Sequence, residues 1–145
     1  MEKAVNGTHF EDMFLGAHAD LLRYTNTGIY LNYRSAIDEV KNTLLNNNYD
    51  PTKPGTNVSR KLRTLVAKKL HLKDHNSLKF YPSVGGSLDH HHGVDCFMEL
   101  DGKMVTLDLT IRDSKQSYKA NVLVTEDELT QDRNAVADKI VHAFN

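Results

Sequence analysis

The stretch Gly93-Val94-Asp95-Cys96-Phe97-Met98-Glu99-Leu100-Asp101-Gly102-Lys103-Met104-Val105-Thr106-Leu107-Asp108-Leu109-Thr110 reads as a β-hairpin. At its centre Asp101-Gly102 suits a two-residue type I′ turn, whose central residues both take positive φ. Leu100 then pairs with Lys103, and counting outward in antiparallel register sets Met98 opposite Val105, Cys96 opposite Leu107 and Val94 opposite Leu109. One face of the ribbon is therefore apolar on both strands. The other carries Phe97 opposite Thr106 and Asp95 opposite Asp108, with Thr110 and Arg112 continuing along the second strand. Directly opposed like charges destabilise a sheet unless something neutralises them. A divalent cation does so, and oxygen-only ligands favour Mg²⁺ or Mn²⁺. The plain alternative is two solvated aspartates on the wet face of an ordinary hairpin.

The whole chain, 145 residues, is one domain's worth and can bury a single core. Eighteen basic residues against nineteen acidic ones give no global pull toward nucleic acid or membrane, so any such pull must come from a local patch. One cysteine excludes an internal disulfide framework, and its place on the apolar face makes Cys96 a small buried hydrophobe rather than a nucleophile. No charged-then-apolar leader opens the chain and no apolar run approaches membrane-spanning length. A soluble cytoplasmic protein is the expectation.

Upstream of the hairpin, Thr8 and Glu11 have the spacing of a capping box, and Phe10, Phe14, Ala17 and Leu21 make an apolar stripe at helical spacing. A second helix is expected from Asn32 to Leu45, with Ile37, Val40 and Leu44 on one side. Residues 46–59 hold Pro51, Pro54 and Gly55 and read as a long surface loop. Helical periodicity returns from Ser59 to Leu70. Lys79 to Val84 reads as a strand ended by Gly85-Gly86. Beyond the hairpin come a short link from Asp113 to Lys119, a buried strand from Ala120 to Thr125, and a last helix opened by the box Thr125-x-x-Glu128. The expected class is α+β, a small mixed, mostly antiparallel sheet with flanking helices.

Two further clusters bear on function. Arg60, Lys61 and Lys68 share one side of the third helix and would neutralise phosphates without reading base sequence, although basic faces are common on solvated helices. Asp89-His90-His91-His92 mixes carboxylate and imidazole just ahead of Asp95. Strand alternation would aim His91 at the Asp95 face, toward substrate phosphate or a water, and send His90 and His92 the other way. A polar loop rimming the site is the plainer reading.

Gly7-Thr8-His9-Phe10-Glu11 in a first helix, Gly93-Val94-Asp95 opening a strand and Asp108-Leu109-Thr110 on the next together resemble the PD-(D/E)xK nuclease superfamily, over most of the chain. The resemblance implies a restriction-endonuclease-like fold and Mg²⁺ held by Glu11, Asp95 and Asp108. Glu11 is thus claimed both as a ligand and as a helix cap, and one side chain does not readily serve as both. The superfamily's lysine stands two residues after the third carboxylate, where this chain has Thr110. Lys119 or Lys115 would then reach back from the link, while Arg112 could grip a phosphate but makes a poor base. The expected function is a metal-dependent DNA endonuclease hydrolysing phosphodiester bonds, with a homodimer among the expected assemblies. Its rival is a catalytically inactive protein on the same fold that binds nucleic acid or a protein partner. A phosphohydrolase acting on nucleotides is the third reading.

Overall fold

A computed structural model describes residues 7–25, 28–111 and 117–145. The Asp101-Gly102 turn forms with both residues at positive φ, 50° and 82°. Its two strands are β2 (Cys96–Leu100) and β3 (Lys103–Thr110). Their register pairs Leu100 with Lys103, Met98 with Val105, Phe97 with Thr106 and Cys96 with Leu107, as the turn and the alternation dictate. β1 (Lys79–Pro82) lies antiparallel on the outer side of β2. β4 (Val122–Thr125) lies parallel to β3, giving a mixed sheet in the order β1-β2-β3-β4. The fold class is α+β.

The helices are α1 (Gly7–Leu15), α2 (Asp20–Thr25), α3 (Tyr33–Asn46), α4 (Asn57–Lys69), α5 (Ser87–His92), α6 (Glu126–Gln131) and α7 (Arg133–Phe144). None of the described helices is long and apolar enough to cross a membrane. Local chemistry sets several of their starts. The Asn32 side chain accepts the Ser35 N–H, and reciprocal boxes form at Thr56/Ser59 and Thr125/Glu128. Thr56 Oγ1 also donates to Phe14 O at 2.6 Å, tying the start of α4 to the end of α1.

One face of the sheet, with Phe80, Cys96, Met98, Val105, Leu107 and Val124, is covered by Phe10 and Phe14 of α1, Leu62 and Val66 of α4, and Val136 and Ile140 of α7. On the other side Tyr81 and Phe97 pack with Leu22, Ala36, Val40, Leu44, Leu88 and Val94. Burying a Leu or Phe of this kind contributes about 1.5–3 kcal/mol each. Both sheet faces therefore help to hold the hairpin in register.

β4 is an edge strand, and its exposed backbone is answered from within the chain. Lys139 Nζ donates to Leu123 O at 2.7 Å and Thr125 N–H donates to Glu128 Oε1 at 3.3 Å. Such blocking suppresses strand addition by another chain.

Four local expectations are corrected. The first helix does not run on to Leu21, because Gly16 at φ 79° breaks it; Ala17 is exposed and Leu22 takes the buried position of the next helix. Thr8 lies inside α1, so it does not cap the helix with Glu11. Val94 does not share the face of Cys96: Gly93, at φ 69°, closes α5 and rotates the chain, Val94 N–H donates to Leu88 O, and its side chain enters the second core. The last helix is divided at Asp132, which caps α7 by accepting the Ala135 N–H. Of the link after β3, residues 112–116 lie outside the described residues.

Candidate functional site

The β2–β3 ladder ends at the pair Cys96 and Leu107, so the expected cross-strand pair of Asp95 and Asp108 is not part of the register: Asp95 precedes β2 and Asp108 lies within β3. Both are buried, at 5 % and 6 % exposure. Asp95 steps out of the regular pattern: its N–H donates to Leu107 O, and its carbonyl accepts from Ser83 N–H, both at 2.9 Å. Its carboxylate then accepts the Leu109 N–H at 2.7 Å. Backbone on both neighbouring strands thus fixes Asp95. Asp108 stays in β3, on the same side of that strand as Thr106 by alternation, and its register partner on β4 is Leu123.

A carboxylate that sequence reading assigned to a loop completes the cluster. Asp89 is on α5, a helix marked in the sequence by Gly86 before it and Gly93 at its left-handed end, the position glycine favours after a helix. Its carboxylate accepts the Gly85 N–H at 2.9 Å and hydrogen-bonds the Asp95 carboxyl. Two carboxylic groups bond this way only when they share a proton. Burial, followed by the Asp89 charge, pushes the Asp95 carboxyl from 3.8 to about 9, against the pull of the Leu109 N–H.

Glu11 approaches from α1. Burial and Asp89 raise its carboxyl from 4.5 to about 7, opposed by Arg23, whose guanidinium lies 3.3 Å away. Arg23 also pairs with Asp12 at 2.6 Å and Asp20 at 3.0 Å, so its charge is divided. Glu11, Arg23, Val84, Gly85, Asp89 and His90 line a cavity of about 420 Å³. The charges of Asp95, Glu11 and Asp108 all raise the thiol of the fully buried Cys96, after burial itself. All three expected ligands thus lie close enough to Cys96 for their charges to act on it, but only Glu11 of the three lines the cavity.

His91 is corrected. On a helix rather than a strand it does not face Asp95; it is exposed, its ring 5.3 Å from that of Tyr30. His92 reaches Leu31 O at 2.8 Å. The Lys119 side chain passes along Gly93 and its Nζ lies 3.5 Å from His91 O. Arg112 and Lys115 lie outside the described residues. Thr110 is buried at the end of β3 beside Thr125.

No family model, curated protein or solved structure matches this chain. The reading of the site rests on its own chemistry. Among the described residues no three His, Cys, Asp or Glu side chains are disposed to hold a metal ion by themselves. The donors present suit a hard cation that needs fewer protein ligands: Mg²⁺ is usually held by one or two carboxylates, several waters and substrate phosphate. Buried carboxylates forced to retain protons are groups that a cation would let ionise.

Arg60, Lys61 and Lys68 do come together on α4, along with Thr64 and Leu65. Sequence reading missed Arg133, which joins them from the start of α7. Their groove and the carboxylate cavity have no lining residue in common.

Proposed function

We propose that this chain is a metal-dependent DNA endonuclease with a restriction-endonuclease-like fold, hydrolysing phosphodiester bonds in the manner of the PD-(D/E)xK superfamily. One observation carries the reading: Asp95, buried at the end of the hairpin and fixed by backbone from both sides, is held protonated beside Asp89 and Glu11. A structural carboxylate placed there weakens the fold, whereas a cation-binding one has a reason to stay.

Asp95 and Asp108 would hold Mg²⁺ or Mn²⁺, which when bound polarises the scissile phosphate and acidifies a water. Glu11, titrating near neutrality, can take a proton at its carboxylate and release it again, the property required of a general base at pH 7. Arg23 orients it. Lys119 supplies the positive charge that Thr110 cannot, from the side of Gly93. Val84, buried and apolar, helps to exclude water from the inner wall.

Incubation with supercoiled plasmid in Mg²⁺ or Mn²⁺, against chelator, tests the proposal. Nicked or linear product is expected with metal, abolished by Asp108→Asn and reduced at least tenfold by Lys119→Met. The buried Thr110 in place of the superfamily's lysine favours the second reading, a nucleic-acid or protein-binding relative without activity. Failure of the unaltered protein to cut duplex, single-stranded or branched DNA with either metal would establish it. Phosphate release from nucleotides alone would favour the phosphohydrolase reading.

A further inference from the structure

The groove between α4 and α7 is lined by charge of one sign. Arg60, Lys61, Lys68 and Arg133 line it together with Thr64 and Leu65, and no carboxylate does. Its volume is about 360 Å³. The basic residue beside it that has an acidic partner, Lys69, is turned away to Asp138 at 2.9 Å. A net charge of −1 offers the whole molecule no attraction for a polyanion, so this concentration of positive charge is a local arrangement.

Arg133 gives the groove a second, independent sign of a ligand. Its Nε–H is buried and has no hydrogen-bond partner. A guanidinium N–H removed from water is almost always paired in a folded protein. An unpaired one calls for an explanation, and beside a groove lined by cations an anionic acceptor is the one that fits. Arg133 is the first residue of the 12-residue α7, where unpaired backbone N–H groups and the helix dipole also favour an anion. By contrast, Arg63, on the same helix as Lys61, is fully used by the fold: its guanidinium donates to Leu78 O at 2.9 Å and His75 O at 2.6 Å.

Spacing separates an extended ligand from a point one. From Arg60 to Lys68 the helix rises about 12 Å at 1.5 Å per residue, more than one phosphate group can span. Thr64 lies between, offering a hydroxyl donor, and Leu65 provides an apolar floor against which sugar carbons can rest. Arg60 is already oriented, its Nε donating to Pro54 O at 2.7 Å, which leaves its terminal nitrogens for the groove.

We propose that the α4–α7 groove is a phosphate track that binds the backbone of nucleic acid without regard to base sequence, with the half-buried Arg133 at the start of α7 and Arg60, Lys61 and Lys68 along its length. The proposal extends the nuclease reading by naming a substrate-carrying surface, and rests on that reading only in taking DNA as the polyanion. Because track and carboxylate cavity are built from different residues, binding and cleavage are separable.

The test is fluorescence anisotropy of a labelled 30-base-pair duplex in chelator, so that no metal or cleavage enters. Unaltered protein should bind, with log K falling against log salt at a slope of about −3, as expected when three to four phosphates are neutralised. The double substitution Lys61→Glu and Lys68→Glu changes two exposed residues and should weaken binding at least tenfold, with a slope shallower by about two. Arg133→Met should weaken it about fivefold and remove about one from the slope, with its thermal midpoint measured alongside. Thr64→Lys, adding charge inside the track, should tighten binding and serves as the gain-of-function control. Arg34→Glu, an exposed charge reversal on α3 outside the groove, should bind as the unaltered protein does, which distinguishes loss of the track from a change in overall charge. Competition by inorganic phosphate at equal anion concentration should be weak. No duplex binding, equal binding by the Lys61/Lys68 variant, or complete displacement by inorganic phosphate alone would each overturn the proposal, the last by identifying a small-anion pocket.

Discussion

Replacing Asp95 by asparagine should make the native state more stable at neutral pH, and more so as the pH rises. Burial and the Asp89 charge push this carboxyl from 3.8 to about 9, while in the unfolded chain it titrates at its ordinary value. The native state therefore keeps a proton that the unfolded chain has released. A carboxyl pKa raised by folding costs nothing below the unfolded value. Its cost then grows by about 1.36 kcal/mol per pH unit and levels off above the folded value. At pH 7 this sets an upper bound of about 4 kcal/mol. Asparagine keeps an oxygen for the Leu109 N–H and gives Asp89 an amide donor, but burying the amide returns part of the gain. A net stabilisation of about 2 kcal/mol is expected, which would move a urea midpoint by about 1 M. Glu11, raised to about 7, adds to the same downward slope until that pH and no further. Urea denaturation at pH 5, 7 and 8.5 reads both effects. The unaltered protein should lose stability across the series, the variant should lose less, and Mg²⁺ or Mn²⁺ should restore the unaltered protein at pH 8.5 while leaving the variant unmoved. A curve for the unaltered protein that is flat or rises over this range, with a variant no more stable at pH 7, would refute the reasoning.

Two further outcomes test how the site and the sheet edge are supported. At Gly85, with φ 87°, a Cβ would come within 2.9 Å of the Arg23 backbone, so Gly85→Ala should cost about 2–4 kcal/mol in thermal or chemical melts and disturb the loop whose N–H holds Asp89. A melt within 0.5 kcal/mol of the unaltered protein would show that the loop yields freely. Lys139→Met removes the donor to Leu123 O and the partner of Glu128, costing about 1 kcal/mol and opening the β4 edge. Self-association measured by light scattering should rise with protein concentration, and a strictly monomeric variant would mean the edge is protected by other means.

The sequence alone determined the hairpin, because every feature that defines it is local. Asp101-Gly102 is a turn whose backbone few other residues adopt, and the two-residue alternation on both sides admits one register that buries Cys96, Met98, Val105 and Leu107 together. The cap at Thr125/Glu128 depends on neighbours three residues apart and is legible for the same reason. The α+β class follows from the order of such segments. Where sequence reading went astray, longer-range contacts had overruled local pattern. Val94 continues the alternation of β2 on paper, yet Gly93 closes a helix just before it and the side chain leaves for the other core. Asp89 is adjacent to the histidines in sequence, but only packing of α5 against α3 and the β2 start brings its carboxylate to Asp95. Arg133 is seventy-two positions beyond Lys61, and no periodicity links them; the packing of α7 on α4 puts both in one groove. Turns, caps and strand faces are decided by bonds and alternation within a few residues. Which carboxylates share a proton and which cations share a groove is decided by how elements distant in the chain are pressed together around a common core.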